Sequence, residues 1–236
     1  MKTNVFLMSF ILVQLLYNLL TTNVNRENRE AKTSECVVEN NGYTGIFLDK
    51  EEPGEPIDLG LSVLWADHNV GATFPEGYGG YYAWGEVEEK DFYDWPTYLH
   101  CDGTRKTCHD IGKEISGTEY DVAHVKWGGD WRMPTREEVK ELCTKCNYVW
   151  TKVNGVQGVR FHGPNGNSVF LPNSGYRKEK DLYDRGLYGC YWTGTQRPRN
   201  NGGYACNLAF IERYKGWSGN IRCYGRPIRP VMNKPK

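Results

Sequence analysis

Residues 135–171 constrain the fold more than any other part of the chain, because they specify one helix and, directly after it, three strands. Thr135 and Glu138 have the spacing of a capping box, and Glu137 with Glu138 puts two carboxylates at the positive end of the helix dipole. Val139, Leu142, Cys143 and Cys146 recur at i, i+3, i+4 and i+7, a single apolar stripe on a helix expected over about 135–147. Such a helix must lie against a core. Residues 148–153 and 156–162 follow as β-forming runs parted by Asn154-Gly155, and Pro164-Asn165-Gly166 leads into a third run at 168–171. Asn-Gly between two such runs is a strong hairpin signal, so a three-stranded antiparallel meander is predicted.

Elsewhere the chain reads as short strands bounded by Gly, Pro, Asp and Asn, at 42–48, 61–66, 79–85, 190–193, 204–210 and 221–231. Residues 86–120 have no period and are expected to form a long irregular excursion, the kind of segment in which binding often resides. With 27 glycines and 14% aromatic residues, the composition suits turns and aromatic packing rather than a helical bundle. The predicted class is α+β, with one main helix packed on short antiparallel strands.

At the N-terminus, Lys2 precedes an apolar run from Val5 to Leu20, and Asn23 to Glu30 is strongly polar. This is the pattern of an export signal, too short and too interrupted by Ser9, Gln14 and Asn18 for a relaxed membrane span. No small-x-small site follows Leu20, so residues 1–22 are read as a signal peptide or an uncleaved anchor, the latter being the only membrane contact expected. Glu35 before Cys36 argues against lipidation. Residues 23–42 read as a polar linker, and the domain is placed at 43–232. Lysine and arginine together number 29, as do aspartate and glutamate, so no overall field favours nucleic acid.

Two stretches carry a family resemblance. Residues 58–72, running on to Tyr82-Ala-Trp-Gly-Glu86, and Trp127-Gly-Gly-Asp-Trp-Arg-Met-Pro-Thr135 are similar to the signature segments of the Fibrobacter succinogenes major paralogous domain. Asn167-Ser-Val-Phe-Leu-Pro172, Gly175-Tyr-Arg177, Tyr191-Trp192 and Gly225-Arg-Pro-Ile-Arg-Pro-Val231 keep the same order, so the resemblance spans 57–231. Trp-Arg-Met-Pro-Thr also looks like the helix start of the formylglycine-generating enzymes. The resemblance implies a C-type-lectin-like architecture, with Trp127, Trp131 and Arg132 as buried supports of the helix start.

Candidate chemistry is sparse. An exported chain meets an oxidising compartment, and its eight cysteines allow 105 pairings. Cys101 and Cys108 flank a turn-like segment and are the one pair read as a local disulfide. Cys143 and Cys146 fall within the helix stripe, where a structural role outweighs a redox or zinc role. His100, Cys101, Cys108 and His109 cluster without a recognised metal spacing. Kinship with formylglycine-generating enzymes raises a cysteine-dependent oxidase using Cys206 and Cys223, but their flanks do not resemble that group's active-site segments. No catalytic residue, metal or cofactor is therefore expected. The reading is a secreted or cell-surface binding module for a glycan or protein ligand, with a structural or adhesive envelope component as the alternative. Candidate ligand contacts are Tyr191, Trp192, Asn201, Tyr204, Asn207, Tyr214, Trp217 and Tyr224, flat rings and amides suited to recognition if they are not core.

Overall fold

The computed structural model describes residues 51–197 and 202–235. The signal peptide or anchor expected at 1–22, the linker expected at 23–42 and the strand expected at 42–48 lie outside the described residues. Among the described residues there are two α-helices, α1 (Val122–Trp127) and α2 (Arg136–Lys145). The strands are β1 (Pro56–Asp58), β2 (Val63–Ala66), β3 (Asn147–Val153), β4 (Val156–His162), β5 (Ser168–Pro172), β6 (Tyr176–Lys178), β7 (Asp181–Tyr183), β8 (Gly189–Gln196), β9 (Tyr204–Ile211), β10 (Tyr214–Ile221) and β11 (Val231–Asn233). With 38% strand against 10% helix, the domain is mostly sheet around one main helix.

Helix α2 begins as its sequence requires. The Thr135 side chain accepts from the Glu138 N–H at 3.3 Å, and Glu138 Oε2 accepts from the Thr135 N–H at 2.7 Å. Arg132 grips the same carboxylate with both terminal nitrogens, at 2.9 and 2.6 Å, so the approach and the first turn are one unit. At Cys146 the backbone turns extended and enters β3. Strands β3, β4 and β5 form the meander, with Asn154 and Gly155 both at positive φ in the tight turn.

The remaining sheets are also antiparallel, in the orders β1-β2-β11, β10-β9-β8 and β6-β7. Sheet β10-β9-β8 is the centre of the domain. On one side it meets α2, β2 and the meander through Tyr191, Leu208 and Phe210; on the other it meets α1, Trp84 and Ile228 through Trp192 and Ala205. A third cluster gathers Tyr81, Tyr93, Tyr98, Cys101 and Cys223.

Two predicted strands are not regular strands. The 79–85 run forms only an isolated bridge, Tyr82 with Arg226. Tyr82 N–H donates to the Arg226 carbonyl, but Trp84 N–H donates to Arg222, so two residues on one side span four on the other and the ladder cannot propagate. The 221–231 run divides likewise: β10 ends at Ile221, and residues 222–230 cross the interior before β11. Pro227 and Pro230 lack the N–H a continuing ladder needs. The segment's carbonyls instead accept from Trp84, Tyr82, Trp192, Val70 and Ala66, tying four stretches of chain to one crossing.

This crossing carries three buried arginines, Arg222, Arg226 and Arg229. Arg229 is held by the carbonyls of Ala66 and Asp67 at 3.1 and 2.8 Å. Arg222 lies 4.3 Å from the Trp84 ring centroid and donates to the Tyr98 hydroxyl at 2.8 Å. The planar guanidinium can stack and donate in its plane at once, which a lysine ammonium cannot.

Candidate functional site

The structure separates the expected ligand contacts into three groups. Tyr191, Trp192 and Asn207 are 1%, 0% and 0% exposed, so their assignment as ligand contacts is corrected: they are core. Tyr191 donates its hydroxyl to the Pro172 carbonyl at 2.5 Å and Trp192 its indole N–H to Tyr82 at 2.9 Å. Asn207 accepts from the Ser218 hydroxyl at 2.9 Å and donates to the Leu208 carbonyl at 3.0 Å. The expected alternation of inward and outward residues is present in β8, but both of its faces are covered. Asn201 lies outside the described residues. Tyr214 and Trp217 are exposed and Tyr204 is half-buried, yet Trp217 stands three positions after Tyr214, which puts them on opposite faces of β10.

Tyr224 belongs to a different grouping, one that the sequence reading did not assemble. Tyr176 and Tyr183 face each other across the β6-β7 ribbon. Their ring centroids are 5.5 Å apart and the planes differ by 18°. Tyr176 also lies 6.0 Å from Tyr224, with planes differing by 15°. Tyr183, Tyr176 and Tyr224 thus form a near-parallel array of three partly exposed rings.

The array is built on fixed backbone. Gly175 holds φ at +65°, a conformation that favours glycine, and a Cβ there would stand 2.0 Å from the Tyr183 carbonyl oxygen. Arg177 and Gly225 exchange two backbone hydrogen bonds at 2.8 and 3.0 Å, bringing Tyr224 beside Tyr176. Tyr93 and Glu179 do the same at the ribbon's turn.

Arg226 adjoins the array, its guanidinium 5.1 Å from the Tyr176 ring centroid and 4.8 Å from that of Trp192. Its Nη1 donates to the Cys190 sulfur at 3.3 Å, while Nε has no partner among the described residues. Burial raises the pKa of the Tyr176 and Tyr224 hydroxyls, so at neutral pH both remain neutral donor-acceptor groups beside the ring faces. The available sequence signals were Gly175-Tyr-Arg177 and a second tyrosine seven residues on.

No family model, curated protein or solved structure matches the chain. Function must therefore be argued from the site itself. Among the described residues no helix is long and apolar enough to cross a membrane, and no three His, Cys, Asp or Glu side chains converge as metal ligands. His100 is engaged with the Gly85 carbonyl at 2.8 Å and His109 with Asp102 at 2.9 Å.

The candidate thiols are poor nucleophiles where they stand. Burial pushes Cys143 and Cys223 up to about 12 and also raises Cys146 and Cys206. Cys101 and Cys108 oppose each other in an antiparallel bridge, both as free thiols. Trp127 and Trp131 are buried against each other edge to face at 5.3 Å, next to the Arg132 clamp on α2.

Proposed function

We propose that the chain is an exported, non-catalytic binding module of C-type-lectin-like architecture, related to the Fibrobacter succinogenes major paralogous domain, and that it binds a glycan on the array Tyr183, Tyr176 and Tyr224. The array carries the reading: three near-parallel, partly exposed rings on a ribbon tied to the rest of the domain by two pairs of backbone hydrogen bonds. With Tyr176 stacked on both neighbours, a pyranose would pack its C–H groups along the exposed ring edges and on the outer rings, its hydroxyls finding phenolic partners there. A rigid ring loses little conformational entropy on binding, which favours tyrosine for recognition. The one main helix entered through Met133-Pro134-Thr135, set on short antiparallel sheets, supports the architecture. Burial of Cys206 and Cys223, with thiol pKa values raised, counts against the cysteine-dependent oxidase.

The test is a glycan array probed with the whole purified chain, followed by calorimetry on the glycans retained. Tyr176→Ala is expected to weaken binding about tenfold, the equivalent of about 1.4 kcal/mol. Trp217→Ala, away from the array, should leave affinity unchanged. Absence of any glycan ligand, or equal affinity for the wild type and Tyr176→Ala, refutes the proposal; capture of a protein partner that loses affinity with Tyr176→Ala would move the ligand from sugar to protein.

A further inference from the structure

We infer that Cys101 and Cys108 are a disulfide-forming site, and that their bond clasps the hairpin that encloses the buried guanidinium of Arg222. The sequence already reads this pair as a local disulfide, from two cysteines flanking a turn and nothing more. The structure adds register. His109 N–H donates to the His100 carbonyl at 2.9 Å and Asp102 N–H to the Thr107 carbonyl at 3.3 Å, so Cys101 and Cys108 occupy the non-hydrogen-bonded position between these bonds. That position brings antiparallel Cα atoms to about 4.5 Å, inside the range a disulfide spans. Neither thiol has another cysteine as a bonded partner, and both point to loop carbonyls, Cys101 to Trp95 and Cys108 to Arg105 at 3.2 Å each.

The two arms of this hairpin hold opposite sides of one cation. Tyr98, on the first arm, accepts from Arg222 Nε at 2.8 Å, and the His109 carbonyl, on the second, accepts from Nη1 at 3.4 Å. Tyr98 also donates to the Trp84 carbonyl at 2.6 Å, completing the wall on which the guanidinium stacks. Nη2 of Arg222 is buried with no partner among the described residues, so any parting of the arms admits water to a charge that needs it. A covalent link between the arms opposes that parting.

Oxidation requires a disulfide donor. Cys108 is the more accessible thiol; as its thiolate it attacks a donor disulfide, forming a mixed disulfide and expelling one donor thiolate. The Cys101 thiolate then displaces the second donor thiolate. The two protons lost from the cysteines are balanced by the two thiol groups formed on the donor.

Trypsin cuts after Arg105 and Lys106, between the cysteines, so the link is directly visible. The whole chain, equilibrated with a glutathione couple as oxidising as a secretory compartment and then alkylated, should give peptide 91–105 joined to 107–113 and separated by reductant. Reduction of the folded protein should lower its thermal midpoint by about 5 °C and speed hydrogen exchange at Asp102 and His109. The inference is overturned if both thiols remain alkylatable under that couple, or if Cys101 is joined to Cys223, its neighbour in the same cluster. It is also overturned if the bond forms but exchange at these amides is unchanged on reduction. Because reduction is performed on wild-type protein, the test does not depend on a cysteine variant folding.

Discussion

Arg229 donates from Nε to Asn69 Oδ1 at 2.8 Å, deep in the domain and with neither side chain reaching solvent. The same guanidinium spans the carbonyls of Ala66 and Asp67, so one side chain near the end of the domain organises the turn that follows β2. Burial lowers its pKa to about 10, which leaves it charged at neutral pH. Arg229→Met keeps much of the volume but strands these acceptors. The expected loss is about 3 kcal/mol of unfolding free energy, measured by urea denaturation; a change below about 1 kcal/mol would mean the acceptors find water instead.

Gly175→Ala tests the seat of the tyrosine array. The substitution meets both an unfavourable positive φ and the Tyr183 carbonyl, and the neighbour is backbone that cannot swing away. A loss of about 2 to 4 kcal/mol is expected, and under the proposed glycan binding affinity should fall as well, because Tyr176 and Tyr183 lose their register. Gly186→Ala is the comparison: it too has positive φ, +84°, but nothing within 4 Å of the added carbon, so it should cost only about 1 kcal/mol.

Stability should fall on acidification partly through Glu138. Burial works against its carboxylate, but the Arg132 hydrogen bonds and the Thr135 N–H outweigh that and hold its pKa below the ordinary value of 4.5. As pH falls, the unfolded chain therefore protonates at this residue before the folded one does. The contribution is fully present above the ordinary glutamate value and is lost as pH descends through the folded one. Glu138→Gln should flatten this acid limb in denaturation curves taken from pH 6 to pH 3, and an unchanged slope would remove Glu138 as its source.

Trp192 and Trp217 should respond in opposite ways to the same truncation. Trp192→Ala opens a cavity beside Arg226 and removes the indole donor to Tyr82, with an expected loss of about 3 to 5 kcal/mol. Trp217→Ala, at 37% exposure on β10, should change stability by less than about 1 kcal/mol. Paired denaturation curves decide, and comparable losses would contradict the burial difference.

What could be read in advance follows from how local the signal is. The capping box, the apolar stripe and Asn154-Gly155 act within a few residues, and α2 with β3, β4 and β5 lies where they point. The 79–85 and 221–231 runs depart from the continuous strands their residues predict because their partners are set by an irregular crossing. Likewise Tyr191, Trp192 and Asn207 carry the residue types of a recognition surface, but a strand's alternation cannot reveal that both faces of its sheet are covered. The array escaped notice for the converse reason: Tyr176 and Tyr183 meet through a short ribbon, and Tyr224 joins them only through the bridge between Arg177 and Gly225.

The pairing of β2 with β11 sets Trp65 opposite Val231, so strands from the two ends of the domain sequence share one sheet. A ribosome delivers those strands far apart in time. Until residue 231 has emerged, β2 lacks its outer neighbour and the crossing that collects carbonyl bonds from Trp84, Tyr82 and Ala66 does not exist. Until that segment is available β2 and the stretches bonded to the crossing stay unpaired, and unpaired strands of this kind are exposed to aggregation and to chaperones. An unpaired interval of that kind is also what a threading secretion channel requires of a cargo, so late closure fits the export proposed for this chain.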